Sequence, residues 1–267
     1  MQKNKYTPPK GRNLPGLFAG GGAFLFWGLL PCYWKALKVV PAPEILCHRM
    51  FWSLVFVGAV ITLWRRWPEV RAALFSRKNA LFFLGSSSLL AVNWLTYIWG
   101  VNAGFVLDAS MGYYINPLVN VLLGFIFFKD RLRRFQVVAI LLAAVGVANL
   151  VINYGRFPWI ALTLAFSFGL YGLIRKLVRV ESLPGLFVES LFMSIPALFF
   201  LGWLQTTGQA ALGGGHPEID LLLVGAGAVT AIPLLMFAFC ARRLRLVEVG
   251  ILQYLAPTCM FLLGVFA

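Results

Sequence analysis

Acids and histidines are nearly missing from this chain, whose 267 residues include only 9 Asp and Glu and 2 His. Charged residues of both signs amount to 12%, against 60% hydrophobic residues and a mean hydropathy of +0.83. A water-soluble domain of this length needs a polar shell, and this composition has too little to build one. Cysteine is also sparse. Cys32, Cys47, Cys240 and Cys259 all fall in apolar runs with no C-x-x-C or His/Cys spacing, which argues against a zinc site or a disulfide scaffold. They read as small buried hydrophobes, and no cofactor or metal is expected. The strict polar/apolar alternation of a membrane β-barrel is absent as well.

What the chain has instead is long apolar runs. A helix crossing a hydrocarbon core of roughly 30 Å needs about 20 mostly apolar residues. Nine stretches qualify: 17–37, 45–64, 80–101, 107–128, 135–152, 157–175, 185–204, 220–241 and 246–266. The expectation is an all-α integral membrane protein. The basic start, MQKNKYTPPKGRNLPG, precedes a run too long for a typical signal-peptide core, so a retained first helix is expected after a cytoplasmic tail, 1–16.

The formal net charge of +14 would suggest nucleic acid on a soluble chain. Here the bases cluster between apolar runs, so the expected partners are a lipid bilayer and a small-molecule substrate, with no nucleic acid. Put the N-terminus in the cytoplasm and alternate the connections. Lys3, Lys5, Lys10 and Arg12, the Arg65–Lys78 group, Lys129–Arg134, Arg175–Arg179 and Arg242–Arg245 then all fall inside. Only Lys35, Lys38, Arg49 and Arg156 of the 23 Lys and Arg fall outside. That is the positive-inside pattern of a cell-membrane protein.

The chain also resembles itself. Displaced by 140 residues, DASMGYYINPLVNVLLGFIF (108–127) lies on EVGILQYLAPTCMFLLGVFA (248–267), matching Asp108 to Glu248, Tyr114 to Tyr254, Pro117 to Pro257 and LLG to LLG. Two five-helix units follow, 17–152 and 153–267, and an odd number of crossings inverts the second relative to the first. The fifth span would recur near 275–292, beyond Ala267. The sequence therefore reads as a fragment lacking a tenth helix, with a natural nine-helix protein as the alternative.

Polar side chains at membrane depth face a bundle interior or a cavity. In the fourth span, Tyr113, Asn116, Asn120 and Gly124 share one face, and Pro117 frees a backbone carbonyl near Tyr113. These groups either hydrogen-bond a solute or hold helices together. Asn93 and Tyr97 repeat the spacing in the third span, as Ser167 and Tyr171 do in the sixth. Their repeat mates are largely apolar, with Gln253 and Tyr254 remaining polar, so a lopsided cavity is expected, suited to an amphipathic organic solute. Asp108 and Glu248 read as helix-start acids. Glu189, one turn inside the seventh span, either carries a proton or pairs with a cation on another helix.

The stretch EILCHRMFW (44–52) adds Glu44 and His48 on one face, continued by Phe51 and Trp52. Glu44 reads as a helix-start acid and Arg49 as a snorkelling base. His48 is expected to face the cavity. Candidate cavity residues are thus His48, Trp52, Asn93, Tyr97, Tyr113, Asn116, Asn120, Tyr171, Gln253 and Tyr254, and candidate proton-coupling groups are Glu44, His48 and Glu189.

PAPEILCHRMFWS, NWLTYIWGVN, ASMGYYINPLVNVLLG and RLRLVEVGILQYLAPTCMFLLGVF together resemble the RarD branch of the EamA-type drug/metabolite transporters, over nearly the whole chain. The resemblance implies a ten-helix inner-membrane carrier of inverted repeats around a central cavity. That branch's usual Gly-Glu after the fourth helix reads Lys129-Asp130 here. The functional expectation is a bacterial secondary transporter working by alternating access on a small amphipathic molecule, with proton coupling as a hypothesis. An intramembrane lipid-modifying enzyme is the rival class, although no nucleophile–base spacing supports it. A channel is a third option, without a filter-like loop or ring of charges to support it.

Overall fold

The structure, a computed structural model, describes residues 13–130, 132 and 134–266. Lys3, Lys5, Lys10, Arg12, Arg131 and Arg133 of the charge pattern, and most of the 1–16 tail, lie outside the described residues. Eleven helices follow one another: α1 (Leu14–Ala36), α2 (Ala42–Leu63), α3 (Trp67–Phe75), α4 (Arg77–Asn102), α5 (Val106–Phe128), α6 (Arg134–Tyr154), α7 (Trp159–Leu177), α8 (Ser182–Thr206), α9 (Pro217–Arg243), α10 (Leu246–Gln253) and α11 (Leu255–Phe266). Among the described residues eight are long and apolar enough to span a membrane, and α10 with α11 occupies the ninth expected span.

Local chemistry sets the boundaries. The Asn13 side chain accepts a hydrogen bond from the Gly16 N–H at 3.0 Å and opens α1, with Pro15 in its first turn. Proline likewise occupies the first turn of α2, α3 and α9. The ninth span breaks at Tyr254, because Pro257 has no N–H to give the Gln253 carbonyl. One element went unforeseen. The connection 65–79 contains α3, which Arg66 starts by donating to Glu69 through Nε at 2.6 Å, while Trp67 packs edge-on against Phe187 at 5.2 Å.

The repeat is visible in the helix starts. Ala42 and Ser182, Arg77 and Pro217, and Val106 and Leu246 open corresponding helices, each pair 140 apart in number. Helix contacts are exchanged accordingly. α1 packs on α9 as α4 packs on α7; α5 packs on α7 as α1 packs on α10 and α11; α2 packs on α9 as α4 packs on α8. The pairs α2–α8 and α5–α10 meet across the pseudo-twofold axis. The fold is thus an all-α, inverted-repeat membrane bundle, with α6 on its outside and none of its spanning window buried.

Lipid gives helices little hydrophobic reason to associate, so close contact and shape must hold them together. Glycine supplies the closeness. A Cβ at Gly250 of α10 would sit 2.7 Å from the Pro117 carbonyl of α5, and one at Gly28 of α1 would sit 2.5 Å from Cys259 Cβ of α11. A Cβ at Gly227 of α9 would strike the backbone of Trp52 in α2.

Candidate functional site

A cavity of about 1010 Å³, its mouth included, runs from the middle of the bundle toward the end where α1 and α4 finish and α2, α5 and α7 begin. Its floor is aromatic. Phe168 meets Phe237 at 5.1 Å between centroids, and Phe237 stacks on Tyr171 at 5.8 Å with the planes 16° apart. Trp27 closes on Phe168 at 5.6 Å from α1.

Five candidates from the sequence line this space: Asn93, Tyr97, Tyr113, Asn116 and Gln253. Tyr97 and Tyr113 face one another edge-on at 5.9 Å. The amides are largely committed to protein partners. Asn93 Nδ2 donates to the Leu164 carbonyl and to Ser167 Oγ, both at 2.9 Å, tying α4 to α7. Asn116 Nδ2 donates to the Ala165 carbonyl at 2.8 Å. Asn120 Nδ2 donates to Asn116 Oδ1 at 3.1 Å and to Gln253 Oε1 at 2.7 Å. One chain of side chains therefore joins α7, α5 and α10, so these residues both shape the wall and hold helices together.

The expectation for Arg49 is overturned. It does not snorkel outward, because its side chain is held by α1, α4 and α9, where it meets Trp34, Trp94 and Thr230. Its guanidinium turns into the cavity, and Nε donates to Thr230 Oγ1 at 3.1 Å. Trp34 and Trp94 both lie against it, their ring centroids 4.7 and 4.6 Å from Cζ. No described acid lies within ion-pair distance of it. Trp34, Trp94 and Thr230 were missed in the sequence. The available signal was Trp94 itself, which sits well inside α4, where an interfacial anchor has no interface to reach.

Five other candidates lie outside the lining. His48 is buried beside Glu44, with Nε2 3.7 Å from Oε1, and neither ring nitrogen makes a hydrogen bond among the described residues. The cavity-facing expectation for His48 is thus corrected: its neighbour Arg49, about 100° around the helix, takes that direction. Glu44 accepts the Ala211 N–H at 2.7 Å and ties down the loop between α8 and α9. Trp52 lies in the α2–α9 contact, its Nε1 without a partner among the described residues. Asn120 is reached only through Asn116 and Gln253, Tyr171 lies beneath the floor, and the Tyr254 hydroxyl donates to the Tyr114 carbonyl at 3.4 Å.

The opposite end, which gathers the described basic clusters, is shut. Glu189 is fully buried and pairs with Arg175 of α7 at 3.7 Å. It also accepts from Ser86 Oγ of α4 at 2.5 Å and from the Tyr171 hydroxyl at 3.5 Å. Of the two expectations for Glu189, a cation on another helix is the one with a partner present. The room comes from Gly185, where a Cβ would collide with the Arg175 guanidinium. Lys176 donates to the Ala241 carbonyl at 3.2 Å and to that of Leu244. Nearer the surface, Arg66 Nη2 reaches Glu181 at 2.7 Å, and that hydrogen bond holds the Glu181 carboxyl below its ordinary pKa. Asp130 sits against the start of α10; burial raises its pKa, opposed by Lys176 and Arg245.

In the register of the helix starts, Glu189 is the repeat mate of Arg49 (49 and 189). One mate faces an open cavity and the other a sealed ion pair. Among the described residues no three His, Cys, Asp or Glu come together to hold a metal.

The model of a family described as "EamA-like transporter family" matches residues 14–152. An "uncharacterized transporter" of Vibrio cholerae is 44% identical, over 97% of this chain and 86% of its own. The "uncharacterized transporter YojE" of Bacillus subtilis is 48% identical over 91% and 82%. Protein RarD of Escherichia coli K12 is 40% identical over 94% and 84%. A solved crystal structure superposes with a TM-score of 0.71, covering 95% of this chain and 89% of that one, at 21% identity, a likeness of fold.

Proposed function

The chain belongs to the EamA-like transporter family, in its RarD branch, and from that premise we propose a secondary transporter that carries a small amphipathic organic molecule across the bacterial cytoplasmic membrane by alternating access. The units 17–152 and 153–267 act as the two inverted halves, and the described basic clusters mark the cytoplasmic end, with the N-terminus on that side. The observation that carries this reading is the unlike setting of repeat mates. Arg49 stands in a cavity open toward one end, while Glu189 is sealed at the other. In an inverted repeat, exchanging the conformations of the halves opens the second end and closes the first.

Glu189 is the coupling group in this proposal, ahead of Glu44 and His48. Its protonation would remove the carboxylate that holds Arg175 and so loosen α7, α8 and α4 together. The test is counterflow in proteoliposomes preloaded with an unlabelled aromatic solute. Transient, saturable accumulation of the labelled solute is expected. Non-saturating equilibration alone would favour a channel, and chemical conversion of the solute an enzyme.

A further inference from the structure

Arg49 is a cation at membrane depth, packed against two indoles, with its outer edge free among the described residues. The indoles of Trp34 and Trp94 lie against the guanidinium at 4.7 and 4.6 Å from Cζ, and Thr230 takes Nε. Nη1 and Nη2 have no hydrogen-bond partner among the described residues, and they are not sealed away, because the guanidinium lines the cavity. An unpaired cation inside a bilayer costs several kcal/mol unless something answers it, and no described acid pairs with Arg49: Glu44 holds Ala211, Glu189 holds Arg175 and Asp108 holds Arg156. The two free groups present parallel N–H bonds, the geometry that a carboxylate or phosphate oxygen pair accepts.

The rest of the cavity is not built for an inorganic ion. Phe24, Trp27 and Phe168 line its floor, and Tyr97 and Tyr113 its side. We propose that the transported solute is an organic anion whose acid group is held by the free edge of Arg49, while a flat apolar body rests on the aromatic floor. This names the substrate class within the transporter reading and rests on it. Positively charged solutes are disfavoured by Arg49 itself. A lipid headgroup would offer the same anionic chemistry to Arg49, and the test below separates it from a soluble acid.

The test compares three probes of one shape: phenylacetate, phenylacetamide and phenethylamine. Each is titrated into the full chain in phosphatidylcholine nanodiscs, with quenching of the flanking Trp34 and Trp94 fluorescence as readout. Phenylacetate should bind about tenfold or more tightly than phenylacetamide, the size of one charge-assisted hydrogen-bonded contact, and phenethylamine more weakly still. Arg49→Gln should erase the preference at an unchanged melting temperature, whereas Arg49→Lys should keep part of it. Equal binding of acid and amide, or failure of the acid to bind, overturns the proposal whatever the variants do. Loss of phenylacetate binding in discs containing phosphatidylglycerol would give the site to a lipid anion instead and overturn the assignment to a soluble one. Absent counterflow with acid-selective binding intact would sink the transport reading and leave the anion site standing. Counterflow of a neutral solute unaffected by Arg49→Gln would do the reverse.

Discussion

Lys129 closes α5 in the left-handed region, at φ 53° and ψ 38°, with its N–H on the Phe125 carbonyl at 3.1 Å. An L side chain there costs roughly 1–2 kcal/mol, and glycine adopts the conformation freely. The resemblance to the RarD branch implies glycine at this position, so the departure to Lys129 has a physical reading: it strains a helix end and leaves the fold intact. Lys129→Gly should therefore stabilise the protein by about 1 kcal/mol, read as a raised melting temperature in detergent. An unchanged or lowered value would mean the lysine makes a compensating contact. The adjacent Asp130 keeps an acid against the start of α10, where the helix dipole favours it.

At the scale of helices, two crossings fix the frame around the cavity. α2 meets α9 where Gly227 lies on the Trp52 backbone, and Ser53 Oγ donates to the Gly227 carbonyl at 3.1 Å. α5 meets α10 at Gly250 and Pro117. Gly227→Ala should push α2 from α9, displace Arg49 relative to Thr230 and destabilise the bundle by about 1–3 kcal/mol, the usual size of overpacking. Gly21→Ala is the control, since a Cβ there meets nothing within 4 Å. A melting temperature lowered in the first and not in the second supports the crossing. Equal behaviour removes it. The break between α10 and α11 serves the same frame, because it ends α10 at Gln253, whose side chain reaches Asn120 while lining the cavity.

For the whole molecule, the two ends differ in what holds them. The open end has a cation with no counter-ion among the described residues; the shut end has Glu189, Arg175, Ser86 and Lys176 crossing between helices. Glu189→Gln keeps the shape and removes the charge. It should shift the population toward opening at the basic end, where Leu90, the repeat mate of Thr230 and fully buried, would become accessible. The measurement is maleimide labelling of Leu90→Cys in a chain with the four native cysteines replaced by serine. An increase of about tenfold is expected, corresponding to a shift of roughly 1.4 kcal/mol between the two states. An unchanged labelling rate would exclude the pair as a latch.

The sequence by itself determined the spans, the gathering of charge at one end and the repeat register. Each follows from local rules: apolar length against bilayer thickness, bases kept to one side, and backbone hydrogen bonds closed within each helix. It also identified Asn93, Tyr97, Tyr113, Asn116 and Gln253 as inward-facing. What it could not decide was the direction of residues whose helix face is set by its neighbours. Arg49 snorkels if lipid lies beside it and turns inward if α1, α4 and α9 do, and the pattern within α2 is the same in both cases. His48 lost the cavity to Arg49 for the same reason. The partners of Glu189 come from α4 and α7, more than a hundred residues away in one case, so the closed end emerges only when the two halves pack together.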